Sequence, residues 1–398
     1  MKTKTLIILI SAVLMASCGG QDEGLQTVTS AVPIGFNVTM GESSLVPLSL
    51  SIPSRSSAGI HCQLSIVNWP SYDDDSAMTR ADAEIGLTDL KAASSTGFGV
   101  FAAYTGQNRY ADSNVSPDFM YNQQVKWDNA ASAWSYSPVK YWPGGDGIGG
   151  ENFHYVSFFA YAPYSDLDGS DPSANPAGYC VSGFSQAHGQ GDPWITYRLH
   201  EDVSKQVDLL YAKELDQIRP AVDKPVSMEF GHALACVGDD VTVEVGNGMK
   251  AAVDNMVKGT VSSAELVLTD ISITYTLAEK GRLILWNDGA ANWQPVFSEN
   301  LTTQRSQDLL ENGNYTLYST SSGSVNTWTY SGDDGIFFIP IEVDSISQKA
   351  EVVLKYKVIV NGSVTFATHE ASTVINLGSY AEAGRKVLLK VVLDNIAQ

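Results

Sequence analysis

The sequence predicts an all-β chain built as two antiparallel β-sandwiches in tandem. Three observations point to it. Short runs of β-branched and aromatic residues with a period of two recur along the 398 residues, each closed by Gly, Pro, Asn, Asp or Ser. No stretch sustains apolar spacing at a helical period, so no long helix is expected. Charged residues make up only 17% of the chain, while Gly (34) and Tyr (18) are plentiful. That balance suits an extracellular β-rich protein better than a helical cytosolic one.

The first 17 residues read as a signal peptide. Lys2 and Lys4 give the positive n-region, and Leu6 to Leu14 form a nearly unbroken apolar run. The run is too short to span a bilayer, which takes about 20 apolar residues. Ala16 and Ser17 lead directly into Cys18. A cysteine after small residues at this point resembles the lipobox of bacterial lipoproteins, whose thiol is acylated before cleavage. Residues 18–33 are then expected as a lipidated linker, polar and acidic in Gly19-Gly20-Gln21-Asp22-Glu23. Two or three acyl chains hold a protein stably where one is marginal. Contact with the membrane is expected through that anchor alone.

Residues 34–232 are expected to form the first sandwich and 233–398 the second. Ile34 to Met40 alternates through Ile34, Phe36 and Val38, and a second strand falls around Leu45 to Ile52. Ser54 to Ala83 turns to Ser, Asp, Pro and Ala and reads as a loop, with Arg80 inside it. From Phe98 to Tyr104 both faces are apolar, which marks a central strand. Met120–Trp127 and Ala133–Val139 make a hairpin about Asp128-Asn129. Tyr155–Tyr161 is a second apolar strand stopped by Pro163, and residues 165–193 are a long loop rich in Gly, Pro, Asp and Ser. Val207–Ala212 and Val226–Phe230 are short strands. The second half continues with Val241–Val245, Glu265–Thr276, Arg282–Trp286, Tyr315–Ser319, Gly335–Ile341, Lys349–Val360 and Val387–Leu393.

Charge and motifs remove several function classes. A net charge of −20 leaves no basic surface for nucleic acid, which is excluded as a partner. No nucleophile elbow, phosphate-binding loop, dinucleotide fingerprint or HExxH occurs, so no catalytic residue and no enzyme are expected. His154, His188 and His200 lack metal-ligand spacing, and no metal or other cofactor is expected. The acidic turn beginning at Asp166 lacks the closing Glu of a calcium loop. Once Cys18 is lipidated, Cys62, Cys180 and Cys236 remain, far apart, with their disulfide state open.

Six segments in order carry a resemblance: Gly97–Tyr104 (GFGVFAAY), Phe119–Trp127 (FMYNQQVKW), Trp134–Pro143 (WSYSPVKYWP), Ser157–Tyr164 (SFFAYAPY), Asp208–Ala212 (DLLYA) and Phe230–Ala235 (FGHALA). With the lipoprotein signal and Thr79-Arg80-Ala81, the chain resembles the fimbrillins, and more narrowly the fimbrillin-like pilus lipoproteins of anaerobic gut bacteria. The resemblance is specific over residues 79–235 and only architectural beyond. It implies transthyretin-like sandwiches and a structural or adhesive subunit of a type V pilus. It also implies a route: an outer-membrane, surface-exposed lipoprotein precursor, cut after an arginine by a protease of trypsin-like specificity, then joined to other pilus subunits by strand exchange.

On that route Arg80 is the expected cut, with Arg55 the alternative. Ile34–Met40 is either the strand lost with the cut or a permanent strand. Val387, Leu389, Val391 and Leu393 share one face of the last strand; they suit a donor strand, with a fixed edge strand of the second sandwich as the alternative. The aromatic set Tyr136, Tyr141, Trp142, Phe158, Phe159, Tyr161 and Tyr164 reads as core rather than as a sugar platform. The alternative function is a monomeric surface lipoprotein adhesin whose receptor is a glycan or host protein.

Overall fold

The computed structural model describes residues 32–41, 48–50, 60–68, 85–143, 153–166, 181–186, 188–220, 224–286, 291–296, 302–332, 335–341, 347–378 and 382–394. In chain order the first strands are β1 (Phe36–Met40), β2 (Leu48–Leu50), β3 (Ile60–Asn68), β4 (Phe98–Gly106), β5 (Met120–Asp128), β6 (Ala133–Ser135), β7 (Tyr155–Ala162), β8 (Val181–Phe184), β9 (Trp194–Arg198), β10 (Leu210–Ile218) and β11 (Val226–His232). They continue as β12 (Ala235–Val245), β13 (Ala264–Ala278), β14 (Lys280–Ile284), β15 (Asn292–Gln294), β16 (Thr302–Leu310), β17 (Tyr315–Ser319), β18 (Trp328–Ser331), β19 (Ile336–Phe338), β20 (Lys349–Val360), β21 (Ser363–Asn376) and β22 (Arg385–Leu393). Two short helices, α1 (Leu87–Lys91) and α2 (Asn247–Asp254), complete the regular elements among the described residues apart from short 3-10 turns. The expected all-β class is the observed one.

The strands form four sheets. The first runs β1-β11-β10-β7-β4-β5-β6. Its centre is the pair β4–β7, apolar on both faces because both faces are covered. Phe98, Val100, Ala102, Phe158, Ala160 and Ala162 point into one core, and Phe101, Ala103, Phe159 and Tyr161 into another. The period of two in the sequence thus sorts one strand pair between two cores. The second core is closed by the sheet β15-β14-β9-β8, which supplies Ile195, Tyr197, Leu283 and Trp293.

The other two sheets enclose the third core. One runs β18-β12-β22-β3-β2 with β19 also on β12; the other runs β16-β13-β20-β21 with β17 also on β13. Their facing residues are mostly aliphatic, among them Val241, Val243, Ile271, Ile273, Val352 and Leu354.

Several expectations change. The pairings are not all antiparallel: β1 lies parallel to β11, and β22 parallel to β12. Parallel neighbours cannot be hairpin partners and must come from distant parts of the chain. The stretch Ser54–Ala83, expected as loop, contains the nine-residue strand β3. The expected loop 165–193 contains β8, whose partner β9 was not anticipated. Sheet membership also crosses residue 232: β14 and β15 join β9, while β2 and β3 join β22. Tyr141 leaves the expected aromatic core and stands 51% exposed, whereas Trp142, Phe158, Phe159 and Tyr161 are buried.

Candidate assembly edges

Residues 32–41 form one edge of the first sheet. Phe36 to Met40 pair in register with Val226 to Phe230. Backbone bonds extend the pairing at both ends, Val226 N–H to Gly35 O (2.8 Å) and Gly41 N–H to Phe230 O (2.8 Å). The sheet curls so that its far end reaches the same segment. Ile34 N–H donates to Lys140 O (2.9 Å), Trp142 N–H donates to Val32 O (3.0 Å), and the Tyr136 hydroxyl donates to Ile34 O (2.8 Å). Residues 32–41 therefore close a gap between β11 and the 136–142 segment.

Alternation places Ile34, Phe36 and Val38 inside and leaves Asn37 and Thr39 exposed. Phe36 sits among rings, with centroids 5.7 Å from Tyr136, 5.8 Å from Phe158 and 6.0 Å from Phe98. Burying three such side chains stabilises the closed core by about 1.5–3 kcal/mol each. Its other buried members among the described residues, with Phe98 packed on Trp134 and Phe230, lie downstream of β1.

Two carboxylates lie behind this edge. Asp208 is wholly buried, accepts from Leu209 N–H (2.8 Å) and pairs with His232 Nδ1, tying the start of β10 to the end of β11. Glu214 on β10 has its carboxyl pushed up, first by burial and then by the negative charge of Glu229 on β11.

The second edge concerns the C-terminal strand. Val387, Leu389, Val391 and Leu393 are all buried in the third core. β22 is not an edge strand. It runs parallel to β12 on one side and antiparallel to β3 on the other, paired with β3 from Arg385↔Asn68 to Leu393↔Ile60. Lys386 Nζ lies 3.1 Å from Asp239 and Lys390 Nζ 2.9 Å from Glu244, both carboxylates on β12. Gly384 N–H donates to Leu234 O and Gly246 N–H to Leu393 O, each at 2.8 Å. β22 is thus fastened to β12 at both ends and in the middle. The alternative of a fixed edge strand is corrected by β3, which covers the outer side.

The other expected sites sort quickly. Cys18, Arg80 and Arg55 lie outside the described residues. His154 stacks on Tyr104 and bonds its hydroxyl, and His188 pairs with Asp118 (2.5 Å). Among the described residues no group of three or more His, Cys, Asp or Glu is placed to hold a metal. Cys236 is buried.

A model of the family described as fimbrillin-like matches residues 79–290. The chain belongs to the fimbrillin-like family. The match runs through β14, the strand of the second half that completes the first half's smaller sheet. This fimbrillin shares its fold with a solved fimbrial protein from Bacteroides vulgatus, at 17% identity and a TM-score of 0.51 over 77% of this chain and 91% of that one. Lower similarity extends to proposed cell adhesion proteins of Bacteroides uniformis (14% identity, TM-score 0.31, covering 76% of this chain and 93% of that one) and Bacteroides ovatus (15%, 0.34, 78% and 86%). No curated protein matches the chain significantly in sequence. As a member of that structural family, the chain is a pilus subunit or adhesin.

Proposed function

We propose that this fimbrillin is the precursor of a type V pilus subunit. It is held at the outer membrane through acylated Cys18, cut after Arg80 by a protease of trypsin-like specificity, and joined to other subunits by strand exchange. One observation carries the reading. β1 is the first described strand and lies parallel to its described neighbour, yet it closes an aromatic core whose other buried members, among the described residues, lie downstream of Arg80 apart from Ile34 just before it. Loss of β1 leaves the β11 edge unpaired and the seats of Ile34, Phe36 and Val38 open. A strand from a neighbouring subunit refills them, backbone bonds giving affinity and alternate side chains giving fit. Holding β1 in place until the cut keeps that edge from premature aggregation.

Val387, Leu389, Val391 and Leu393, expected as donor residues, enter this proposal in a changed role. Their burial and the fastening of β22 to β12 favour a strand that stays in its sheet. N-terminal sequencing of polymer stripped from cells tests the proposal. Chains beginning at Ala81 are expected; polymer whose chains all begin at Cys18 sinks it.

A further inference from the structure

We propose that the outer face of the sheet β15-β14-β9-β8 binds an anionic polysaccharide, a glycan chain bearing sulfate or carboxylate groups, through Arg198, Lys280 and Arg282. The inference is independent of the maturation reading above, because the residues it uses lie on neither assembly edge.

The pairing of the sheet fixes the face. Ile195, Tyr197, Leu283 and Trp293 point into the second core. The residues that alternate with them stand on the opposite side. One register row there crosses all four strands, Gly183–Thr196–Arg282–Gln294, and the next row on that face sets Arg198 opposite Lys280. The Arg198 side chain is 40% exposed, and Lys280, Arg282 and Trp194 are half-buried.

The charges on this face work against the fold. Arg198 and Lys280 are like charges directly opposite each other on antiparallel strands, an arrangement that costs stability. Arg282 follows two residues along β14, in a chain with 24 basic residues against 44 acidic ones. Glu201 reaches Arg198 at 2.7 Å but is itself 76% exposed. Glu279, next to Lys280 in the chain, gives its carboxylate to Arg305 at 2.7 and 2.8 Å. An arriving anion relieves the repulsion, whereas an apolar or cationic partner does not.

Arg282 is prepared for an oxyanion. Its guanidinium lies 4.0 Å from the centre of the Trp194 ring, on the diagonal of the β9–β14 pair. The stack holds the plane of the fork, so less freedom is lost in a bidentate contact. Its Nε, shielded from solvent, has no hydrogen-bond partner among the described residues. A sulfate or carboxylate gripped by the fork removes that cost.

The spacing suits a chain rather than one ion. Rows on one face lie about 7 Å apart and adjacent strands about 4.8 Å apart, so the three cations spread over more than one anionic group. Thr196 and Gln294, in the row of Arg282, add a hydroxyl and an amide for sugar hydroxyls. The net charge of −20 belongs to the whole molecule. Its field is screened beyond about 8 Å at physiological ionic strength, and the nearest cations set the potential at this face.

The test uses the full chain after the signal peptide, with binding measured at physiological salt. The probes are dextran sulfate and uncharged dextran, which share a backbone, with polygalacturonate as the carboxylated polymer and a DNA duplex as a bare polyanion. Preference for dextran sulfate or polygalacturonate over dextran is expected, and the preferred polymer names the anionic group. The Lys280→Gln, Arg282→Gln double variant should bind about tenfold more weakly or worse. Arg198→Gln, at the more exposed position, should lose about threefold. Arg282→Lys keeps the charge but not the fork, and should fall between the parent and the double variant. A Lys126→Gln, Lys258→Gln variant, which makes the same change in net charge at exposed lysines elsewhere, should bind as the parent does. Should the first double variant melt early, Arg198→Gln and Arg282→Lys decide alone. The proposal is overturned if neither anionic polymer is preferred to dextran, or if the duplex binds as tightly as they do. It is equally overturned if the folded variants at Arg198, Lys280 and Arg282 bind like the parent, or if the Lys126, Lys258 variant loses as much as they do.

Discussion

β1 and β22 are the first and last described strands of the chain, and each lies parallel to one neighbour, yet they are held very differently. β1 has five residues, sits at the end of its sheet and is held by backbone bonds and two core side chains, Phe36 and Val38, with no ion pair of its own. β22 has nine residues, is flanked on both sides, sends four side chains into the core and carries two ion pairs to β12. Terminal position alone therefore does not make a strand exchangeable. What matters is how much of the strand's pairing and burial the remaining molecule can keep without it.

The sharpest way to break this contrast is to place a charge in each strand. Leu389→Asp puts an unpaired carboxylate into the third core and should cost more than about 4 kcal/mol, preventing the second half from folding. Phe36→Asp should release residues 32–41 while the downstream strands stay folded. Hydrogen exchange resolved by segment distinguishes the two; global unfolding by Phe36→Asp would erase the distinction.

A smaller effect probes the fastening of β22. Lys386 and Asp239 are both largely buried, at 14% and 11% side-chain exposure. Lys386→Ala should cost about 3 kcal/mol in urea unfolding, because Asp239 is left charged and unpaired. Lys390 and Glu244 are more than a third exposed, and Lys390→Ala should cost under about 1 kcal/mol. Equal losses would show that β22 is not anchored chiefly at Lys386.

Next in size is Tyr136→Phe, which removes the hydroxyl that donates to Ile34 O. A loss of about 1 kcal/mol should speed local exchange of residues 32–41 about fivefold and leave β22 unaffected. The smallest effect concerns Glu214. Its carboxyl is raised by burial and by Glu229, so the ionised form penalises the fold at neutral pH. The penalty shrinks as pH falls through the raised folded value and vanishes below the unfolded one. Glu214→Gln should give a small rise in Tm at pH 7 and none at a pH below the unfolded value; a fall in Tm at pH 7 would contradict the sign.

Much of the first sheet is legible in the sequence because its central strands are apolar on both faces, as in Phe98–Ala103 and Tyr155–Ala162. Lys349–Val360 is legible to the residue, since its burial alternates without a break. β16 hides because an edge strand such as TTQRSQDLL buries no residue fully. β21 hides because Thr373, polar by type, takes a buried position between Ala371 and Ile375. β3 does alternate, through Ile60, Cys62, Leu64 and Ile66, but a Ser-rich stretch before it and an acidic run after it mask the signal. β9 alternates as well, with Ile195 and Tyr197 buried. At the candidate edges, the apolar faces of β1 and β22 are visible in sequence. Their neighbours are not, because parallel pairing joins residues far apart in the chain and leaves no local trace.

The three seats filled by Ile34, Phe36 and Val38 act as a socket with a two-residue pitch. The positions that alternate with them, Gly35, Asn37 and Thr39, are the ones a strand shifted by one residue would drive inward, putting amide and hydroxyl groups into a dry aromatic cavity. Any strand entering that socket is checked for spacing before it is checked for sequence. Under the proposed strand exchange, different subunits sharing the same pitch would be interchangeable in one fibre, while a strand out of phase by a single residue would be rejected however apolar it is.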